Sequence, residues 1–181
     1  MNRRLALVLP ALALPVLLSA CSNDSSRIVL RPPCPNPAIL AEAGDLSRFR
    51  DAGRDLTDLT LSARIQAIGG SCRPTSERSR DQLDTRFSVA ITAMRGPASP
   101  ARTADIPWFV ALMEGGEVIA KQSFTLRVNF PANQDQVSVT TPESTTILNL
   151  APGKTGAAYQ LMVGFQLSPE ELAYNRSIAG K

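Results

Sequence analysis

The chain has 181 residues, a length that suits one domain with short additions. Its apolar fraction of 44% and charged fraction of 19% are typical of a globular protein and argue against a disordered chain. The sequence contains no histidine, which excludes a Ser-His-Asp triad, a Cys-His pair, an imidazole metal site and a histidine proton switch.

Residues 1–20 have the organisation of an export signal. A basic start precedes the apolar stretch Leu5–Leu18, which is shorter than the roughly 20 residues of a membrane-spanning helix. The residues that close it, Leu18-Ser19-Ala20-Cys21, resemble the lipobox of bacterial lipoproteins. The resemblance implies cleavage before Cys21 and anchoring to a membrane through acyl chains on that residue. Ser22 then implies sorting to the outer membrane, with the domain facing the periplasm.

The alternative to a lipoprotein signal is an ordinary secretory signal that is cut after Ala20. That cut would leave the bulky Leu18 at a position where a small residue is preferred.

Removal of this segment changes the charge of the chain. Loss of Arg3 and Arg4 lowers the number of basic residues from 19 to 17, against 16 acidic residues. The nearly balanced charge therefore indicates no nucleic-acid partner.

The cysteines predict a disulfide. With Cys21 acylated, Cys34 and Cys72 form an even pair in an oxidising compartment. A bridge closing a loop of about 38 residues contributes about 3–4 kcal/mol on the chain-entropy estimate. The pair lacks the CxxC spacing of a redox or metal motif.

A polar tether, residues 21–33, precedes one domain over 34–181, and most of that domain shows a period of two. In the stretch 59–65, for example, Leu59, Leu61, Ala63 and Ile65 share one parity. The predicted strands are 59–68, 83–93, 106–113, 118–130, 136–141, 145–150 and 157–167. The segment 38–50 is compatible with a helix or an edge strand, and we favour the strand.

Turn and cap residues separate these elements. Gly69-Gly70 is predicted to end the first long strand, and 71–82 to form a charged connection. Gly115-Gly116 supplies the positive φ of a tight hairpin. Ser168, followed by Pro169 and then Glu171, has the pattern of a capping box and predicts a helix to Asn175.

These elements predict an all-β fold, an antiparallel β-sandwich of the immunoglobulin/fibronectin III type with a short C-terminal helix. No helical crossover is present, so parallel pairing is not expected. The stretch from Leu150-Ala151-Pro152-Gly153 to Tyr159–Val163 resembles the tyrosine-corner region of fibronectin type III domains. That resemblance implies a hydrogen bond between the Tyr159 hydroxyl and the backbone of the turn.

The chain also resembles a group of alphaproteobacterial outer-membrane lipoproteins. The motifs that carry the resemblance are Cys34-Pro35, Gly53-Arg54-Asp55-Leu56-Thr57, Gly70-Ser71-Cys72, Arg95-Gly96-Pro97, Pro107-Trp108-Phe109-Val110-Ala111, Val163-Gly164-Phe165-Gln166-Leu167 and Glu170-Glu171-Leu172-Ala173-Tyr174-Asn175-Arg176. The resemblance implies a location and a fold, and no activity.

No motif predicts catalysis, a metal or a cofactor. Pro152–Thr155 has the end of a phosphate-binding loop but neither its first glycine nor a following helix. The cluster Asp51, Asp55 and Asp58 lacks the spacing of a calcium-binding loop. Glu170-Glu171 are adjacent on a helix and point in different directions. We therefore expect a protein that is not an enzyme; a hydrolase is the least favoured reading.

Three residues are candidates for contact with a partner. Trp108 and Phe109 point to opposite faces of one strand, so one of them is available if a sheet face is exposed. Arg102 lies in the long proline-rich loop 95–105.

We favour a non-enzymatic accessory, interaction or structural module of the cell envelope, with an envelope protein as its partner. The alternative is a carrier or sensor that binds a small apolar ligand or lipid between its sheets. It requires a cavity lined by Trp108, Phe124, Phe130 or Phe165.

Overall fold

The computed structural model describes residues 34–51, 53–77 and 80–179, so the predicted signal and tether lie outside the described residues. Two β-sheets enclose one apolar core, and a helix follows the last strand. The nine strands within the described residues are β1 (Asn36–Ile39), β2 (Asp45–Phe49), β3 (Leu59–Glu77), β4 (Arg80–Arg95), β5 (Thr103–Glu114), β6 (Glu117–Asn129), β7 (Gln136–Thr140), β8 (Ser144–Asn149) and β9 (Tyr159–Phe165). The helix α1 spans Pro169–Ala179, and short 3-10 turns span Ala41–Ala43, Leu56–Asp58 and Gly156–Ala158.

The strand order confirms the predicted all-β sandwich with a short C-terminal helix. The first sheet has the order β1-β9-β5-β6. The second has the order β2-β3-β4, and both β7 and β8 pair with the far side of β4. β7 lies opposite Ala90–Met94, whereas β8 lies opposite Gln82–Phe87.

The segment 38–50 is divided between the two sheets, whereas one edge strand was expected. The Leu40 N–H donates to the Val163 carbonyl in the first sheet at 2.8 Å. The Ile65 N–H of the second sheet donates to the Gly44 carbonyl at 3.0 Å. The first half of the segment therefore bonds to the first sheet and the second half to the second sheet, so the prediction of a single strand was wrong. β1 also pairs in parallel with β9, although only antiparallel pairing was expected.

The hairpin of β3 and β4 is longer than predicted. β3 does not end at Gly69-Gly70, because 71–77 of the supposed connection continue the strand and pair with 80–86 of β4. A Cβ atom on Gly70 would lie 2.1 Å from the Arg86 carbonyl oxygen. The glycine is therefore needed because the two strands approach closely there, and it does not mark a strand end.

The predicted parity decides which side chains form the core. The residues of β3, β4 and β9 that share the inward parity are buried, as predicted. The largest fully buried side chains are Leu46, Leu83, Phe87, Val89, Ile91, Ile106, Val128, Leu161, Val163 and Phe165. Side chains from both sheets form this core, which holds the two sheets together.

Two local predictions are confirmed at the ends of the elements. Gly115 and Gly116, with φ of 59° and 91°, form the tight turn between β5 and β6. At the start of α1 the Glu171 N–H donates to Ser168 Oγ at 3.2 Å, and the Ser168 N–H donates to Glu171 Oε2 at 2.8 Å. This reciprocal pair is a capping box. The helix continues four residues beyond the predicted end at Asn175.

Candidate functional site

The predicted disulfide is present and joins the two sheets. Cys34 lies just before β1 of the first sheet and Cys72 lies in β3 of the second, with their Cα atoms 5.7 Å apart. The bridge therefore holds the sheets together at the end where the described chain begins. Cys21 lies outside the described residues, so its acylation stays a prediction.

Trp108 and Phe109 lie on opposite faces of β5, as predicted, but only one ring reaches the surface. Trp108 is 2% exposed and stacks on Phe124 at 4.4 Å between ring centroids, so it belongs to the core and is not available to a partner. Phe109 is half-buried on the outer face, with Lys121 Nζ 4.2 Å from its ring centroid. Lys121 also donates to Gln166 Oε1 at 2.9 Å.

The aromatic side chains that the carrier hypothesis requires are packed. Phe130 is 4% exposed and Phe165 is 1% exposed, and both belong to the same core cluster as Trp108. Phe124 lies between Trp108 and Phe87, at 4.4 and 6.4 Å from their ring centroids. This packing counts against a cavity among the four rings.

Arg102 is occupied within the protein. Its Nε donates to the Phe130 carbonyl at 3.0 Å and an Nη donates to the Gln134 carbonyl at 2.9 Å. The same group also bonds the Pro131 carbonyl. Arg102 therefore fastens the start of β5 to the loop after β6, and its side chain remains 41% exposed.

One carboxylate from each charged cluster noted in the sequence forms an ion pair with an arginine. Asp58 pairs with Arg50 at 3.0 Å, and Glu171 pairs with Arg48 at 3.0 Å while it caps α1. In the part of the chain that the structure describes, no group of three or more His, Cys, Asp or Glu side chains is placed to hold a metal ion.

The sandwich is open on one side, between β6 and β8. A groove of about 300 Å³ lies there, which we call the lateral groove. Its floor consists of core side chains, and Ala120 of β6 and Ile147 of β8 lie on its two sides. The floor residues are Phe87, Val110, Leu112 and Leu161, and Lys121, Gln122 and Thr146 also line the groove.

Exposed apolar side chains gather on this same side. Val118, Ile119 and Ile147 are 58%, 48% and 61% exposed. The pairing of β5 with β6 shifts at Ile119, because Val118 lies opposite Met113 whereas Ala120 lies opposite Leu112. This bulge interrupts the regular alternation of inward and outward side chains at the start of β6. Scattered exposed apolar residues need no explanation, but three on one side of a sandwich mark a candidate contact surface.

The sequence carried a signal for this surface that the prediction missed. Ile147-Leu148 and Val118-Ile119 are pairs of adjacent large apolar residues within strands. Neighbours in a strand point to opposite faces, so one member of a regular pair must face outward. Leu148 is 4% exposed and belongs to the core, which leaves Ile147 on the surface.

One ion pair lies at the end of β5, beside the β5–β6 turn. Lys154 donates a hydrogen bond to the Glu114 carboxylate. This bond, with the attraction between the two charges, raises the pKa of Lys154. The pair fastens the turn before β9 to the end of β5.

Comparison with protein-family models, with curated proteins and with solved structures finds no match to this chain. Within the residues that the structure describes, α1 is the one α-helix, and no helix has the length and apolar character needed to cross a membrane.

Proposed function

We propose that this chain is a lipid-anchored, periplasm-facing β-sandwich of the bacterial outer membrane that acts as a non-enzymatic interaction or structural module. The observation that carries the proposal is the Cys34–Cys72 disulfide, which follows a segment that resembles a lipoprotein signal. Disulfides form and persist in the periplasm and are rare in the cytosol. With these two cysteines paired, Cys21 remains as the acceptor of the acyl chains.

The lateral groove and the strand edges beside it support an interaction role. Asp58, Glu114 and Glu171 each pair with a basic side chain, and no acidic side chain lines the groove. The groove instead offers an apolar floor and exposed Ile147, which suit contact with another macromolecule. The absence of histidine from the sequence leaves few means of general acid–base catalysis near neutral pH.

Metabolic labelling with a fatty acid tests the anchor. Cells producing the wild-type chain should incorporate the label into this protein, and the protein should fractionate with the outer membrane. The matched control, Cys21→Ser, should carry no label and should leave the membrane fraction. An unlabelled wild-type protein would overturn the proposal.

Affinity purification from solubilised membranes tests the interaction role. The full chain should recover the same envelope protein, or itself, in repeated preparations. A variant with Ile147→Asp should lose that recovery while it keeps its membrane location. Recovery equal to that of the unrelated surface variant Leu56→Asp would count against the lateral groove as the contact site.

A second candidate, a carrier of a small apolar ligand, is favoured by the apolar floor of the lateral groove. The ligand would lie in this groove and not among the packed aromatic rings of the core. Fluorescence titration with a dansylated fatty acid tests it. Binding that Ala120→Trp abolishes would support the carrier, and the same binding by both proteins would reject this site.

A further inference from the structure

Among the described residues, no strand pairs with the second edge of β8, and the pairing of β8 with β4 defines which groups face that edge. The Leu150 N–H donates to the Asp81 carbonyl at 2.9 Å, and the two strands continue from there in register. Alternate residues of an antiparallel strand bond to the same neighbour. Leu148, Thr146 and Ser144 therefore also bond to β4. The residues between them, Thr145, Ile147 and Asn149, direct their N–H and C=O groups to the free edge.

Most other edges of the sandwich are guarded against pairing, as is usual in natural sheets. β6 has the bulge at Ile119 and the charge of Lys121. β2 has a bulge between Arg48 and Phe49 and is contacted by α1. β1 is four residues long and contains a proline, and β7 contacts β6. β8 has no charge, no proline and no bulge between Ser144 and Asn149.

We propose that this side of the sandwich is an interface with a second copy of the chain, in which the two β8 strands pair antiparallel about a two-fold axis at Ile147. In this register Ile147 lies opposite the same residue of the second copy, and Thr145 lies opposite Asn149. All the free N–H and C=O groups of these three residues are then paired. An uncharged strand can pair with itself without bringing like charges together, which favours an identical copy as the occupant.

The start of β6 supports the same arrangement. It lies on the same side as β8, and its exposed Val118 and Ile119 would be covered by the approach of a second copy. The inference concerns the described domain and is independent of the proposed lipid anchor.

Disulfide trapping with purified full-length Ile147→Cys tests the register. Cα atoms of directly opposite, hydrogen-bonded residues lie about 5.5 Å apart, which is within the range of a disulfide. A mild oxidant should therefore convert most of this variant to a reducible dimer. Leu56→Cys, which places a cysteine on a residue 78% exposed before β3, is the matched control. A yield of dimer no higher than that of Leu56→Cys overturns the register.

Replacement of Ile147 by a charged residue tests the interface without an introduced cysteine. Sedimentation velocity of the full chain should show a dimer for the wild type and a monomer for Ile147→Lys and for Ile147→Glu, with unchanged far-UV circular dichroism. A mixture of the two variants should recover the dimer, because Lys then lies opposite Glu. A monomeric wild type overturns the proposal. So does a dimer that both variants retain, which would point to a different surface.

Discussion

The backbone N–H of Ala151 donates to the hydroxyl oxygen of Tyr159 at 3.0 Å. Ala151 follows β8 of the second sheet, and Tyr159 begins β9 of the first. The tyrosine is 2% exposed and packs with Leu83 and Leu148. The bond therefore fastens the turn between two strands that lie in different sheets. It is the bond that the resemblance to a tyrosine corner implied.

We expect Tyr159→Phe to destabilise the domain by about 1–3 kcal/mol, because the Ala151 N–H loses its partner in a partly buried turn. The measurement is the free energy of unfolding in urea. Tyr174→Phe is the control, since it keeps the edge-to-face contact of this ring with Phe49 at 4.9 Å. Equal losses in the two variants would contradict a special role for the Tyr159 hydroxyl.

The disulfide provides a second prediction. Replacement of Cys34 and Cys72 together by alanine should lower the free energy of unfolding by about 3–4 kcal/mol, because the unfolded chain loses a constraint on a loop of 38 residues. Urea denaturation of the oxidised wild type, the reduced wild type and the double variant measures it. The last two should agree. A double variant as stable as the oxidised protein would show that packing alone holds the two sheets together.

Asn175 attaches α1 to the sandwich, and this gives a third prediction. Its Nδ2 donates to the carbonyls of Glu42 at 2.9 Å and Asp45 at 2.8 Å, and the residue is 6% exposed. We expect Asn175→Ala to destabilise the protein by about 1–3 kcal/mol, because two part-buried carbonyls lose their donor. Hydrogen exchange should become faster in α1 and remain unchanged in β5.

Ser177→Ala is the control for Asn175, because the Ser177 hydroxyl bonds only within the helix, to the Tyr174 carbonyl at 2.7 Å. This variant should leave exchange in α1 nearly unchanged. Similar exchange in both variants would show that the helix is held chiefly by its apolar contacts.

The ion pair between Arg176 and Glu42 gives a prediction about pH. The hydrogen bonds from Arg176, at 3.1 and 2.8 Å, with the attraction of its charge, lower the pKa of Glu42 in the folded protein. A lowered pKa stabilises the folded state above the ordinary glutamate pKa, roughly 4.3, and the contribution is lost as the pH falls through the lowered value.

Arg176→Gln should therefore unfold at a lower urea concentration than the wild type near neutral pH, and the difference should vanish in acid. The difference should be small, because both side chains are more than half exposed. The measurement is the urea midpoint across the acid range. A difference that persists once Glu42 is protonated would assign the effect of Arg176 to packing instead of charge.

Local features were predictable because neighbouring residues decide them. The period of two identified the buried faces of β3, β4 and β9, since alternate side chains of a strand share a face. Gly115-Gly116 predicted the hairpin through its backbone freedom, and Ser168 with Glu171 predicted the start of the helix. The disulfide followed from the number of cysteines and the compartment that the signal implied.

Other features depended on contacts between distant residues. Gly70 resembled a strand end, and only the approach of Arg86 across the hairpin shows that it continues β3. Arg102 resembled a free surface arginine, and only the return of the loop after β6 occupies it. Prediction of these outcomes requires the position of a residue far along the chain, and local sequence patterns do not contain that information.

By itself, the sequence determined which faces of β3, β4 and β9 are apolar, where the β5–β6 turn and a helix cap lie, and which cysteines can pair. Only the tertiary structure decided that Trp108 is covered while Ile147 is not. Both residues lie in strands rich in apolar side chains. Exposure depends on whether a second layer lies over a given face, and the sandwich covers the inner face of β5 but leaves β8 at an open side.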